Sequence, residues 1–446
     1  MSDFKKPSGG RKSLSGRKFT AGKPPGFSRH QKKTDDGGKD RPERVPHLAP
    51  KTYSSAPRAG AQILGAHVAR NPVRLDADGK PIPKTSGRPA LHIDMKTLKD
   101  NYRALTAKIA KPGKPVTIAA CVKADAYGLG MGPVAKALYG LGCRAFFVAH
   151  PMEGRLLREI IGGGATIYVL NGPSEAEMQI FFGSKLKPVL NSYSQARLWA
   201  SAIRKHEYQP RSVIHIDTGM NRLGFEAAEL TRLVNDKPLL ASLDIELVMS
   251  HLACAGDPKS PSNAKQLSAF KAAASQLPPV TLSLANSAGI YLGKAYHFNM
   301  VRPGAALYGL SVTSAKEDHK PVVSISAPIL QTRILKKGES AGYNASFTAK
   351  SDMRVATIAA GYADGIPVAA SNIGHGTLAG RKMPIIGRVS MDLTMLDASG
   401  FSGEIKPGDR VHFYGDQLEA QAGAMGLLNY EMLTRLGSRF RREYKK

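Results

Sequence analysis

The chain has 446 residues, 42% of them apolar, with no apolar run of about eighteen, which describes a globular protein of two or three domains and argues against a membrane-spanning one. Three cysteines, Cys121, Cys143 and Cys254, without CxxC or Cys/His ligand spacing argue against a disulfide framework and a zinc site, and suit the reducing cytoplasm. The formal charge of +28 raises nucleic acid or an anionic surface as non-specific partners, so its distribution matters more than its size.

The start, MSDFKKPSGGRKSLSG, is charged but lacks the apolar stretch of a secretory signal. Residues 1–87 are rich in Gly, Pro, Ser, Lys and Arg and show no sustained apolar period. Such a segment buries too little apolar surface to offset its ordering entropy, so a disordered basic N-terminal extension is expected. Residues 1–88 hold 20 Lys or Arg against 7 Asp or Glu, contributing +13 to the total charge. Within them, Asp76-Ala77-Asp78-Gly79 lacks the remainder of a calcium-loop pattern and reads as a turn.

From residue 88 to 315 short apolar runs alternate with amphipathic stretches of helical length. Strands are expected at Val116–Lys123, Ala145–His150, Ala165–Leu170, Lys187–Asn191, Ser212–Asp217, Ile245–His251, Thr281–Asn286 and Phe298–Arg302, with helices such as Ser194–His206 and Asn263–Leu277 between them. Runs without polar alternation suit parallel strands covered on both faces, and helices supply their crossovers. The pattern predicts an α/β (β/α)8 barrel, with an open doubly wound sheet as the alternative. Residues 316–446 turn β-rich: Val322–Ile325, Ile329–Ile334, Met353–Ala359 and Arg410–Tyr414 read as strands of a mostly β C-terminal domain.

In such barrels reactive residues gather at the C-terminal ends of the strands. The expected strands end on Lys123, on Asp217 with Arg222 just beyond, on His251, on Asn286-Ser287, and on Arg302 with Gly304. A lysine at the mouth of a buried strand can have its amine pKa lowered enough to serve as nucleophile or base, although a lone strand-end lysine is more often simply solvated.

The continuation decides between those two readings. CVKADAYGLG resembles the lysine motif of fold type III pyridoxal-phosphate enzymes, and of alanine racemases in particular. The resemblance runs from about Pro89 to Tyr444, through IDTGMNRLGF, MSHLA, ANSAG, MVRPGAALYG, SAGYNASF, AAGYADG, GRVSMD and NYEMLTRLGSRFRREY in the family's order. It implies pyridoxal 5'-phosphate carried as a Schiff base on Lys123, with His251 against the cofactor ring. It implies a phosphate held by Tyr127, Asn286, Ser287, Gly304, Ala305 and Tyr430. Arg302 is similar to the family's partner of the pyridine nitrogen; with no proton to give up readily, it leaves that nitrogen unprotonated and weakens the ring as an electron sink. Arg222 is implied to bind the substrate carboxylate, a task that suits a planar guanidinium.

Racemisation removes a proton from one face of Cα and returns one on the other, so two acid/base groups must flank the substrate. The resemblance assigns them to Lys123 and Tyr343. The same resemblance places Tyr362 and Met391 at the narrowed access to the substrate, and puts the residues matching Tyr343 and Met391 in the active site of the partner subunit of a homodimer. Interconversion of L- and D-alanine for peptidoglycan synthesis is the implied activity. A racemase acting on serine or lysine, or a decarboxylase, is the alternative on the same fold. A non-catalytic pyridoxal-phosphate carrier is disfavoured by the β-rich part of the chain.

Two positions depart from the family's pattern. Ser283 stands where a histidine often supports the arginine at the pyridine nitrogen, and His215 stands where many members have a carbamylated lysine that positions the carboxylate-binding arginine. The basic extension is a third departure, and its simplest reading is a solubilising leader. That reading predicts no gel shift with nucleic acid at low salt. A salt-sensitive shift lost on deleting residues 1–85 would instead reveal an anion-binding arm.

Overall fold

The computed structural model describes residues 87–110, 113–208, 210–314 and 317–446, so the expectations for the N-terminal extension lie outside the described residues. The first strand, β1 (Ala90–Asp94), leads into a helix, Met95–Ile109, whose N-terminus is capped by Asp94 accepting from the Thr97 amide at 2.9 Å. Eight strands then follow: β2 (Thr117–Cys121), β3 (Ala145–Val148), β4 (Thr166–Val169), β5 (Lys187–Leu190), β6 (Ser212–His215), β7 (Ile245–Met249), β8 (Thr281–Asn286) and β9 (Met300–Arg302). All run parallel, and β9 pairs back with β2 through Thr117 to Met300 and Ile118 to Val301, closing a barrel.

Continuous apolar sequence produces this closure because each strand is covered on both faces. Ala119, Ala145, Phe147, Tyr168, Val189, Val213, Leu247, Met249 and Met300 fill the barrel interior, small residues on β2 and β3 making room for the stacked rings of Phe147 and Tyr168. The outer face packs against helices that include Met131–Gly140, Pro151–Ile161, Tyr193–Ile203, Ala227–Asn235 and Pro261–Ala274. Between β8 and β9 the connection is made of 3-10 turns, Ala288–Leu292 and Lys294–Tyr296, in place of a helix. The helix Met95–Ile109 meets the chain beyond β9, where buried Asn101 donates to Leu307 O at 3.2 Å and Lys320 O at 2.9 Å.

The second sheet has eight strands, in the order Met353–Ile358, Thr394–Asp397, Arg381–Ile386, His375–Leu378, Arg410–Tyr414, β10 (Val323–Leu335), β1 and Arg441–Lys445. Two expected strands, Val322–Ile325 and Ile329–Ile334, are thus one 13-residue strand. Pro328 and a register shift between Ile329 and Gln331 mark the apparent gap: Pro contributes no ladder donor, and a bulge bends the strand without ending it. Beyond that bend β10 pairs with Met353–Ile358, so the sheet folds back on itself.

The strand β1 precedes the barrel in sequence but pairs antiparallel with β10 and parallel with Arg441–Lys445. The boundary at residue 88, drawn from composition, therefore does not coincide with the strand's partnership: its hydrogen-bond partners lie in the second sheet. No helix among the described residues is long and apolar enough to cross a membrane.

Leu91 sits in the middle of β1 with no exposed surface. Leu91→Ala should cost roughly 2–5 kcal/mol, measured as a lowered midpoint of thermal unfolding, because the cavity opens against the face of a strand that is paired on both edges and cannot readily collapse.

Candidate active site

The first six barrel strands end one or two residues earlier than expected, so Lys123, Asp217 and His251 stand just beyond Cys121, His215 and Met249, at the barrel's C-terminal mouth. Asn286 and Arg302 are the last residues of β8 and β9.

Lys123 opens a turn, Lys123–Tyr127, in which Ala124, Asp125, Ala126 and Tyr127 all have φ between 52° and 57°. Four L-residues in left-handed backbone cost roughly 1–2 kcal/mol each. Hydrogen bonds hold the turn in place: the Ala126 amide to Val122 O at 2.9 Å, the Gly128 amide to Ala124 O at 2.8 Å and the Gly130 amide to Asp125 O at 2.9 Å. The turn brings the Tyr127 ring to 4.8 Å from that of Tyr308. It also lays the Tyr127 hydroxyl where a Cβ on residue 304 would overlap it, which is why Gly304 is a glycine.

Beside that hydroxyl, Ser287 Oγ accepts from the amides of Gly304 at 2.9 Å and Ala306 at 3.2 Å. Ala306, not singled out in the sequence, is the second amide of this nest, and Ala305 lies between the two. Burial pushes the Tyr127 phenol up, and a smaller contribution comes from Tyr430, so the two hydroxyls share one neighbourhood. Tyr430 is the second residue of the helix Asn429–Thr434. Asn429 fixes that helix by donating to Ser311 O and to the Glu419 carboxylate at 2.7 Å. Glu419 also accepts from the Ser311 amide at 2.8 Å, an attachment no local sequence pattern signals.

Arg302 is buried in the barrel and, among the described residues, has no carboxylate partner. Its Nη1 donates to Ser283 Oγ and its Nη2 to Ser250 O, both at 2.5 Å, and Ser283 in turn donates to Met300 O at 2.8 Å. Desolvation lowers the guanidinium to about 10, which leaves it charged at neutral pH. Ser283, a departure at the level of sequence, is thus the direct support of Arg302.

Two histidines are held neutral beside it. His251, half-buried, is lowered well below its ordinary value by burial and then by Arg302, Arg222, His215 and Lys123. Asn286 spends its Oδ1 on the Gly289 amide at 2.9 Å, so its Nδ2 faces Leu252 O and His251 Nε2, at 3.3 and 3.4 Å. His215 lies on β6, with Nδ1 2.7 Å from Asn191 Oδ1. Asn191 Nδ2 is committed to Leu170 O and Val189 O, both at 3.0 Å. Its oxygen therefore accepts, His215 carries its proton on Nδ1, and His215 Nε2 is a lone-pair acceptor. Burial first, then Arg302, lowers His215 to about 4.

Arg222 is exposed on the loop after β6. Asp217 shapes that loop: its Oδ1 accepts from the amides of Gly219, Met220 and Asn221 at 2.9, 2.9 and 3.2 Å. On the β domain, Tyr343 lies in a short turn and is 66% exposed, and Met391 is 53% exposed. Among the described residues the Tyr343 hydroxyl makes no hydrogen bond to Lys123 or Arg302. Tyr362 and Met391 are brought together: the Tyr362 amide donates to Ser390 O and the Ala363 amide to Met391 O, each at 3.0 Å. Arg439 ties both loops, with Nε and Nη2 on Asp364 at 2.9 and 2.7 Å and Nη1 on Asp392 at 2.6 Å. Among the described residues no group of three or more His, Cys, Asp or Glu forms a metal site.

The profile of the alanine racemase N-terminal domain matches residues 93–312, and that of the C-terminal domain matches residues 322–444. The chain belongs to the alanine racemase family. It is 41% identical to the alanine racemase of Brucella suis over 371 residues, covering 79% of this chain and 93% of that one. It is 44% identical to the catabolic alanine racemase of Agrobacterium fabrum over 358 residues, 79% and 91% of the two chains. The crystal structure of alanine racemase from Bartonella henselae with covalently bound pyridoxal phosphate superposes with a TM-score of 0.77 at 37% identity, covering 80% of this chain and 99% of that one. Within this isomerase family the decarboxylase alternative is not favoured, and the closed barrel rules out the open doubly wound sheet.

The lowered pKa of His215 predicts an acid-sensitive fold. Between about pH 6.5 and pH 4 the unfolded chain binds a proton that folded His215, lowered to about 4, refuses, so stability falls as pH falls through that window. His215→Asn should flatten the dependence of the unfolding midpoint on pH there, leaving the part due to His251, His92 and His412, which burial also lowers. An unchanged slope would show that His215 titrates normally.

Proposed function

We propose that this chain interconverts L- and D-alanine with pyridoxal 5'-phosphate held on Lys123 Nζ, and that it works as a homodimer with shared active sites. The residues at the mouth fit that cofactor. Tyr127, Ser287, the amides of Gly304 and Ala306, and Tyr430 gather in one neighbourhood, a set of hydroxyl and amide donors that suits a phosphate, with one Cβ position, at Gly304, left clear for Tyr127. Arg302 suits the ring nitrogen, since a guanidinium near 10 keeps its proton, and His251 with its Asn286 support suits the ring face. When bound, the cofactor acidifies the substrate's Cα–H.

The protein's own groups do the rest. Arg222 draws the substrate carboxylate to the mouth and orients it. Lys123 Nζ exchanges a proton with one face of Cα, and the partner subunit's Tyr343 exchanges one with the other. Tyr362 and Met391, paired through their backbones, narrow the access from the β-domain side. The observation that carries the reading is the separation of the two bases. Lys123 stands at the barrel mouth, while Tyr343 is two-thirds exposed on the β domain with no hydrogen bond to it, as a group completed by a second copy would be. Free thiols at Cys121, Cys143 and Cys254 agree with a cytoplasmic enzyme supplying D-alanine for peptidoglycan.

Exchange of the alanine α-hydrogen with solvent deuterium, followed from each isomer, tests this directly. Lys123→Ala should abolish exchange from both isomers. Tyr343→Phe should lower kcat by about a hundredfold or more, and mixing the two inactive variants should recover activity in heterodimers that contain one intact site. Parent rates from Tyr343→Phe would refute the two-base assignment, and failure of complementation would refute shared sites.

A further inference from the structure

The turn that carries Lys123 is gripped from two sides by side chains with no part in the proton transfers above. On its leading side the carboxylate of Glu153, in the first turn of the helix Pro151–Ile161, accepts from the Ala124 amide through Oε1 at 2.6 Å. Its Oε2 accepts from the amides of Ala149 and His150 at 2.8 and 3.1 Å. One carboxylate therefore joins the residue after Lys123 to the end of β3 and the start of the next helix. Three converging amides require an acceptor-only group, which a carboxylate is and a carboxamide is not.

On the trailing side the last strand, Arg441–Lys445, reaches across from the β domain. Arg442 Nη2 donates to Gly128 O at 3.1 Å, and the Tyr444 hydroxyl donates to Leu129 O at 2.9 Å. Strand alternation divides the tasks: residues 442 and 444 meet the barrel turn, while Glu443 on the other face pairs with His92 Nδ1 at 2.8 Å. Glycines permit the approach. A Cβ at Gly128 would stand 2.5 Å from Leu433 O, and one at Gly130 would overlap the Tyr444 hydroxyl.

We propose that Glu153, Arg442 and Tyr444 are positioning residues that fix the aim of Lys123 and Tyr127, which makes the C-terminal strand of the β domain a working part of the barrel's site. The inference rests on the reading of Lys123 as the cofactor-bearing lysine. Left-handed backbone built from alanine, aspartate and tyrosine has no local preference to persist, so its geometry is set by what holds its two ends. Loosening either end lets Lys123 and Tyr127 drift relative to the Ser287 nest and Arg302, which are anchored on other strands. A reaction that needs near-attack geometry is sensitive to such drift.

The test uses the full-length holoenzyme. Tyr444→Phe keeps the ring packing and removes only the hydroxyl; Glu153→Gln, Arg442→Ala and Arg442→Lys complete the series. Expected are a kcat lowered by about ten- to a hundredfold, a KM for alanine and an unfolding midpoint near the parent's, and faster loss of the visible absorbance of bound pyridoxal phosphate during dialysis. Arg442→Lys should restore much of what Arg442→Ala loses. Parent values of both kcat and cofactor release in Tyr444→Phe and Glu153→Gln would overturn the proposal, as would losses of kcat that track a falling unfolding midpoint in every variant. Lys123→Ala, assayed for a covalent adduct after borohydride reduction, separates the two ideas. An adduct that survives refutes the reading of Lys123 itself, whereas loss of the adduct there, with the other variants behaving as parent, refutes only this inference.

Discussion

Between β2 and the first barrel helix the chain runs through four successive left-handed residues, Ala124 to Tyr127, none of them glycine. At roughly 1–2 kcal/mol per residue, this conformation is held by hydrogen bonds within the turn and by bonds from two other parts of the fold, Glu153 on one side and Arg442 with Tyr444 on the other. What the conformation achieves is direction: with Lys123 at the barrel mouth, it folds the Tyr127 ring back against Tyr308 and Gly304. A right-handed turn of the same length would carry the two side chains along a different path, away from the Ser287 nest.

The electrostatics of the mouth follow a second constraint. Lys123, Arg222 and Arg302 lie close enough together that all three act on His251, and among the described residues none of the three is paired with a carboxylate. Asp217, five residues before Arg222, spends an oxygen on three backbone amides. Both histidines stay neutral, through burial and through the surrounding cations, and serve as acceptors. The result is a concentration of positive charge lined by neutral acceptors, an arrangement that favours a ligand bearing phosphate and carboxylate groups.

The C-terminal segment shows how the two domains share this site. Asn429 ties the helix that carries Tyr430 to Ser311 and Glu419, Arg439 braces the loops that carry Tyr362 and Met391, and Arg442 and Tyr444 close on the lysine turn. The pairing of the last strand with β1 places all of these within reach of the barrel. A residue in that strand can therefore influence chemistry at the mouth through hydrogen bonds alone, without touching substrate.

The eight barrel strands, their order and the reactive residues near their ends were legible in the sequence, because parallel strands buried on both faces leave an unbroken apolar signature and the motif around Lys123 is local. So was the gathering of Tyr127, Ser287, Gly304 and Arg302 at the mouth, implied by resemblance to motifs only a few residues long. Four features depended on the tertiary structure: the left-handed path after Lys123, the allegiance of Ala90–Asp94 and Arg441–Lys445 to one sheet, the support of Arg302 by Ser283, and the Nδ1 tautomer of His215 set by Asn191. Each depends on a hydrogen-bond partner far away in the chain, and a local pattern of residue types carries no record of which distant donor or acceptor will satisfy it.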